Sequence, residues 1–229
     1  MIAVNPAQES IFDLSLSQLE NLLTGWGEPP YRARQIYRQV YINNVGCFSE
    51  MSNLSLELRE RLANHLSWGT LKNEKTITCD KGLTRKVLMS MPDGSPVETV
   101  LMVYPDRVTV CVSSQSGCPM ACIFCATGKL GFLHDLTTGQ IVEQVLWAER
   151  ELRAMSEEMG PDFPGAIRAR LKKDEHALTN IVFMGMGEAF NNYEAWWHSV
   201  ERLHDPDGYN MGARNFTVST VGLIPGIEK

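Results

Sequence analysis

No apolar run in this 229-residue sequence is long enough to span a bilayer. The opening residues, MIAVNPAQESIFDLS, carry neither the basic end nor the apolar stretch of a secretory signal, so a cytoplasmic protein with no membrane association is expected. Positive charge is also short. The 21 Lys and Arg stand against 27 Asp and Glu, a net charge of −6. That balance argues against a molecule-wide basic field for phosphate binding, although local clusters can override the total. Cysteine is sparse and unevenly placed: there are six, and none follows Cys125. Without an export signal, these are expected as metal ligands or reactive thiols rather than structural disulfides. The rest, 44% hydrophobic and 21% charged, suits a globular chain with one sizeable domain and a smaller one.

The first part has helical spacing. Ser15 and Gln18 form a capping box ahead of Leu16, Leu19, Leu22 and Leu23, and Gly25 and Gly27 end that helix. A second helix is predicted from Pro30, with Ile36, Tyr37, Val40 and Tyr41 on its apolar side and Arg32, Arg34 and Arg38 opposite. A third runs from about Ser55 through Leu58, Leu62 and Leu66, with Arg59 and Arg61 outside. Near Thr76 the spacing changes to short β-like runs at Leu83 to Met89, Val97 to Tyr104 and Arg107 to Ser113, separated by Pro92-Asp93-Gly94 and Pro105-Asp106. Alternation in the last run puts Val108, Val110 and Val112 on one side and Cys111 on the other.

Beyond the cysteine-rich loop, Thr137 and Gln140 cap another helix carrying Ile141, Val142, Val145 and Leu146. Residues 155–178 read as a polar connection containing the basic run Arg168, Arg170, Lys172 and Lys173. Then come a buried strand at Ile181 to Met184, a helix at Tyr193 to Leu203 and a strand at Phe216 to Val221. Strand, helix, strand, helix, strand is the order of an α/β fold with parallel strands. The chain divides into a helical domain over 1–75, a β-rich connection over 76–110 and an α/β core over 111–229.

Cys118, Cys122 and Cys125 have CxxxCxxC spacing in a single loop. Soft thiolates select zinc, copper(I) or iron-sulfur clusters. Structural zinc wants four ligands, which would require His134 or Cys111 as the fourth. Three thiolates on a [4Fe-4S] cluster instead leave one iron open.

Phe124, just before the last cysteine, completes the radical S-adenosylmethionine (SAM) signature. The segments CVSSQSGCPMACIFCATGKLGF, VETVLM, FMGMGE and TVSTVGLIPGI, with YRARQIYRQVY upstream, resemble the RlmN/Cfr family of radical SAM RNA methyltransferases over nearly the whole chain. The resemblance implies a partial radical SAM (β/α)6 barrel behind a small helical domain, with Cys118, Cys122 and Cys125 holding a [4Fe-4S] cluster. It implies SAM as cosubstrate, carbon 2 of adenosine in 23S rRNA and tRNA as methyl acceptor, and an electron donor such as flavodoxin or ferredoxin. Carbon 8, as in Cfr, and a non-catalytic iron-sulfur or RNA-binding remnant stand as alternatives.

Residue by residue, Glu98 matches the family's proton acceptor, and Gly187, Glu188 and Ser219 match SAM contacts. Cys111 matches the cysteine that ends in a disulfide with a methyl-carrying cysteine near the family's carboxy terminus. Read without the family, Cys111 is a half-buried strand cysteine and Glu98 a solvent-facing strand position. Arg32, Arg34, Arg38, Arg59, Arg61, Arg85 and Lys86 are the candidates for an RNA phosphate face, against the alternative of solvated helix surfaces. The sequence departs from the family at Ala189, where proline is usual, in the long 155–178 connection, and in having no cysteine after Cys125. Only three barrel strands are recognisable, so a truncated chain and a complementing carboxy-terminal partner are expected.

Overall fold

A computed structural model describes residues 8–173 and 176–229; the first seven residues and two of the polar connection lie outside it. The helical part forms as its spacing dictates. In α1 (Leu16–Gly25) the Ser15 hydroxyl accepts from the Gln18 amide and the Gln18 side chain accepts from the Ser15 amide, closing the expected box. Helix α2 (Tyr31–Tyr41) buries Ile36, Tyr37, Val40 and Tyr41, and α3 (Leu56–His65) buries Leu58 and Leu62. Leu19 and Leu23 of α1 complete this core. Each such fully buried aliphatic side chain contributes roughly 1.5–3 kcal/mol.

Strand β1 (Lys72–Cys79) follows, then β2 (Thr84–Ser90), β3 (Pro96–Val103) and β4 (Val108–Cys111), each antiparallel to the one before. A short hairpin frames the cysteine loop: β5 (Gln115–Gly117), then α4 (Ala126–Leu130), then β6 (Phe132–Asp135). The long helix α5 (Thr138–Met159) comes next, capped by Thr137 with Gln140 as expected. After α6 (Gly165–Leu171) the chain enters β7 (Asn180–Phe183), α7 (Tyr193–His204), β8 (Phe216–Val218) and α8 (Ile224–Glu228). The main sheet has the order β1-β2-β3-β4-β7-β8, with β4, β7 and β8 parallel. The expected strand-helix-strand-helix-strand core is therefore β4-α5-β7-α7-β8.

Three expectations change. The polar connection contains the end of α5 and all of α6, whose Ile167 and Leu171 are buried; its basic run begins on that helix, where Arg168 donates to the Phe163 carbonyl at 3.1 Å. Strand β1, exposed at every position, and the β5–β6 hairpin were not expected. None of the described helices is long and apolar enough to cross a membrane.

One face of the sheet is covered. Val87, Val97, Leu101, Val110, Val112 and Ile181 are fully buried there, in one core with Ile141, Val145 and Leu146 of α5. Helix α5 also holds the helical part. At its amino end the Asp13 carboxylate accepts from the Gly139 amide at 2.6 Å and the Thr137 hydroxyl at 3.3 Å, a placement the helix dipole favours. Further along, Glu143 accepts from the amides of Thr70 and Leu71, and Asn44 donates to the Leu146 carbonyl.

Candidate functional site

The other face of the sheet is open, and pairing registers assign its residues. Lys86, Val100, Cys111, Val182 and Thr217 form one row across β2, β3, β4, β7 and β8. Cys111 is half-buried while its neighbours Val110 and Val112 are fully buried, so the valines take the helix side as expected. Burial pushes the Cys111 thiol up, opposed by the Met184 amide. Glu98 lies two residues from Val100 on the same face, and its carboxylate pairs with Lys86 Nζ at 2.6 Å.

Loops at the carboxyl ends of the parallel strands meet beside this face, where ligands of open α/β sheets usually bind. Gln115 is buried at the start of β5. Its Oε1 accepts from the Glu188 amide at 2.9 Å, and its Nε2 donates to Asp135 at 2.7 Å. The Ser113 hydroxyl accepts from the Met186 amide at 2.9 Å and donates to the Glu98 carbonyl at 2.6 Å. Asn192 donates to the carbonyls of Ser114 and Leu136. Glu188 is only 3% exposed: one carboxylate oxygen accepts from the Phe190 amide and the other from the Val221 amide at 2.9 Å, joining the loops after β7 and β8. A carboxylate has about four lone-pair sites, so these bonds leave room for a further donor. Ser219 is exposed in the loop after β8.

Gly187 allows this close packing. Its φ is +100°, and a Cβ there would sit 2.8 Å from the Gln115 amide nitrogen. Ala189, the departure from the family pattern, is buried and begins the short turn Ala189–Asn192 that brings Asn192 inward. Sequence reading passed over Gln115, Ser113 and Gln144, although the first two stand in the Ser-Ser-Gln run after β4. Gln144 of α5 bonds both the amide and the carbonyl of Ser113 and so continues the ladder where β4 ends.

The cysteine loop is a tight reversal. Ala121 takes a left-handed φ of +49° between Cys118 and Cys122, and Gly128 packs so closely that a Cβ would lie 2.9 Å from the Cys122 amide nitrogen. Cys118 is buried, while Ile123 and Phe124 are 88% exposed. Burial raises the Cys118 thiol, and the nearby Cys122, Cys125 and Glu188 add to it against the Met120 amide. All three thiols and Glu188 therefore share one electrostatic neighbourhood. The amide of Gly128, with Thr127, holds the Cys125 thiol below its ordinary value, which favours the thiolate.

Among the described residues no three His, Cys, Asp or Glu side chains converge on a single ion. Each thiolate of an iron-sulfur cluster has its own iron, so three soft donors spread over one loop suit a cluster better than zinc. His134, a possible fourth zinc ligand, is paired with Asp93 at 2.5 Å. All six cysteines are free; the disulfide expected of Cys111 is not formed, and the sequence offers it no partner after Cys125.

The arginine face needs correction. Arg85 is buried on the helix side of β2 and bonds Glu151 at 2.6 Å and also Glu158, whereas Lys86 faces the open side. Residues in succession on a strand point to opposite faces, so these two cannot share a phosphate surface. Arg61 caps α1 by donating to the Trp26 carbonyl, and Arg59 donates to the Ser49 carbonyl.

Residues 10–67 match a family described as the ribosomal RNA large subunit methyltransferase N-terminal domain. A probable dual-specificity RNA methyltransferase RlmN of Chloroflexus aurantiacus is 53% identical over 222 residues, covering 97% of this chain and 55% of that protein. A protein of the same description from Roseiflexus is 49% identical over 237 residues, covering 96% and 59%. Among solved structures, a radical SAM methyltransferase from Sphaerobacter thermophilus aligns with a TM-score of 0.84 at 44% identity, over 96% of this chain and 59% of that one. The chain thus spans little more than half the length of these relatives, and its fold is part of a radical SAM methyltransferase fold behind a helical region.

Proposed function

We propose that this chain, which belongs to the RlmN family of radical SAM methyltransferases, carries the cluster-binding and SAM-binding part of an enzyme that methylates carbon 2 of adenosine in 23S rRNA and tRNA. The observation that carries this reading is the hydrogen-bonded meeting of the loops after β4, β7 and β8 beside the open sheet face. Cys118, Cys122 and Cys125 would hold a [4Fe-4S] cluster. Bound there, such a cluster supplies an iron open to the amino and carboxylate groups of SAM and the electron for its cleavage.

The chain's own residues supply position. Gly187 lets the backbone approach the ligand closely, Glu188 offers an acceptor for its ammonium, and Ser219 lies on the facing loop. Glu98, paired with Lys86, would take up a proton from the methylated adenine, and Cys111 would act as the thiol of the resolving step. RNA would reach this face past the helical region, and a flavodoxin or ferredoxin would deliver electrons. A segment or partner chain bearing a methyl-carrying cysteine completes the chemistry.

The test is anaerobic reconstitution with iron and sulfide, reduction, and measurement of 5'-deoxyadenosine release from SAM, beside Cys122→Ala. Release that needs Cys122 is expected; bound iron without release contradicts the reading. In the presence of the carboxy-terminal cysteine segment, nucleoside mass spectrometry should find 2-methyladenosine, and 8-methyladenosine would instead select the Cfr chemistry.

A further inference from the structure

A cleft of about 320 Å³ opens on the far side of the sheet from the cysteine loop, where the helical region, β1, β2 and α5 meet. That volume lies at the lower end of the range for small-molecule sites, and such sites favour junctions between structural units. Its floor is one stripe of α5: Glu143, Trp147 and Arg150 follow at spacings of four and three, so they line one helix face over about 10 Å. Trp68, edge-on to Phe12 and Phe48, and Asn73 of β1 form its walls.

The two ends differ in charge. Arg150 donates through Nη1 to Asn44 Oδ1 at 2.7 Å and lines the cleft. Burial lowers the Arg150 guanidinium against the smaller pull of Glu143 and Glu50, and among the described residues it forms no ion pair with either. At the other end the Glu143 carboxylate is occupied by the Thr70 and Leu71 amides. An anion is drawn to the Arg150 end, while a flat ring meets the indoles of Trp68 and Trp147 in the lining.

We infer that this cleft binds a nucleotide, with its phosphate on Arg150 and its base against Trp68 and Trp147. The source is either a free mononucleotide or an unpaired nucleotide of an RNA strand; the recognition chemistry is the same. The inference is independent of the cluster and of SAM.

Five tryptophans are few enough to resolve by fluorine NMR after 5-fluorotryptophan labelling. The full chain would be titrated with AMP, adenosine and a single-stranded oligoadenylate, with Trp68 and Trp147 assigned by Trp→Phe variants. AMP or the oligonucleotide should shift those two signals saturably, adenosine should bind at least about tenfold more weakly, and Arg150→Met should cost AMP a similar factor. Because Arg150 also supports Asn44, Asn73→Asp serves as the second variant: Asn73 is exposed, and a new carboxylate at the cleft should weaken AMP without disturbing the core. Response to the oligonucleotide alone assigns the site to RNA, and response to AMP assigns it to free nucleotide. No response to either, adenosine binding equal to AMP, or unchanged affinity in Asn73→Asp would each overturn the inference.

Discussion

The two faces of the six-stranded sheet share the same strands and differ in almost everything else. On β3, Val97, Thr99, Leu101 and Val103 are buried under helices, while Glu98, Val100 and Met102 are only half-buried on the open face. The covered face carries the apolar side chains that hold the fold. The open face collects Cys111, Glu98 and Lys86 beside loops rich in glycine and cysteine. A one-residue step along a strand thus moves a side chain from stability to chemistry.

The sharpest way to break this comparison is on adjacent residues. Leu101→Ala should destabilise by about 2–5 kcal/mol, because it opens a cavity at a fully buried position, and Val100→Ala by under about 1 kcal/mol. Urea denaturation compares them, and equal losses would show that the open face is packed in solution.

Next in size is the pH response of the covered side. Burial pushes Glu143 up from 4.5 to about 7, against the amides of Thr70 and Leu71. Its folded value lies above its unfolded one, so the folded state holds the proton in between. Stability from this group is full below the ordinary carboxylate value and is lost as pH rises from there through about 7, on the order of 3 kcal/mol in all. Melting temperature should therefore fall across that window, and Glu143→Gln should flatten the fall; an unchanged slope would assign it to other groups.

Gly187→Ala should cost roughly 1–3 kcal/mol from its left-handed φ and also weaken SAM binding, since the new Cβ meets Gln115. Calorimetric titration with SAM checks the second effect. Smallest is Lys86→Ala: its pair with Glu98 is partly exposed on both sides, so stability should change by no more than about 1 kcal/mol while turnover, measured with the carboxy-terminal cysteine segment present, falls. A stability loss without a change in turnover would place Lys86 with the covered face instead.

Much of this architecture was legible in the sequence because it depends on local rules. Both capping boxes, the valine alternation through Val112 and the parallel core follow from spacing and polar end residues. Strand β1 was missed for a physical reason: KNEKTITC buries no side chain, so it has no apolar alternation to read, and pairing with β2 alone defines it. The extent of α5 was hidden by its polar last turns, whose Glu151 and Glu158 look solvated until the buried Arg85 is seen between them. Gln115 and Gln144 act through contacts to distant backbone, which no short motif records. The cysteine loop, by contrast, kept its ligand types and spacing in a single stretch of sequence.

The central claim is that the open face ends in a three-thiolate site that presents an iron to SAM. The most direct measurement is electron paramagnetic resonance of the reduced, reconstituted chain before and after SAM addition, beside Cys122→Ala. The account predicts about four irons per chain, a [4Fe-4S] signal that SAM perturbs, and loss of that signal in the variant. A chain that binds no cluster, or a cluster whose spectrum ignores SAM, would contradict it.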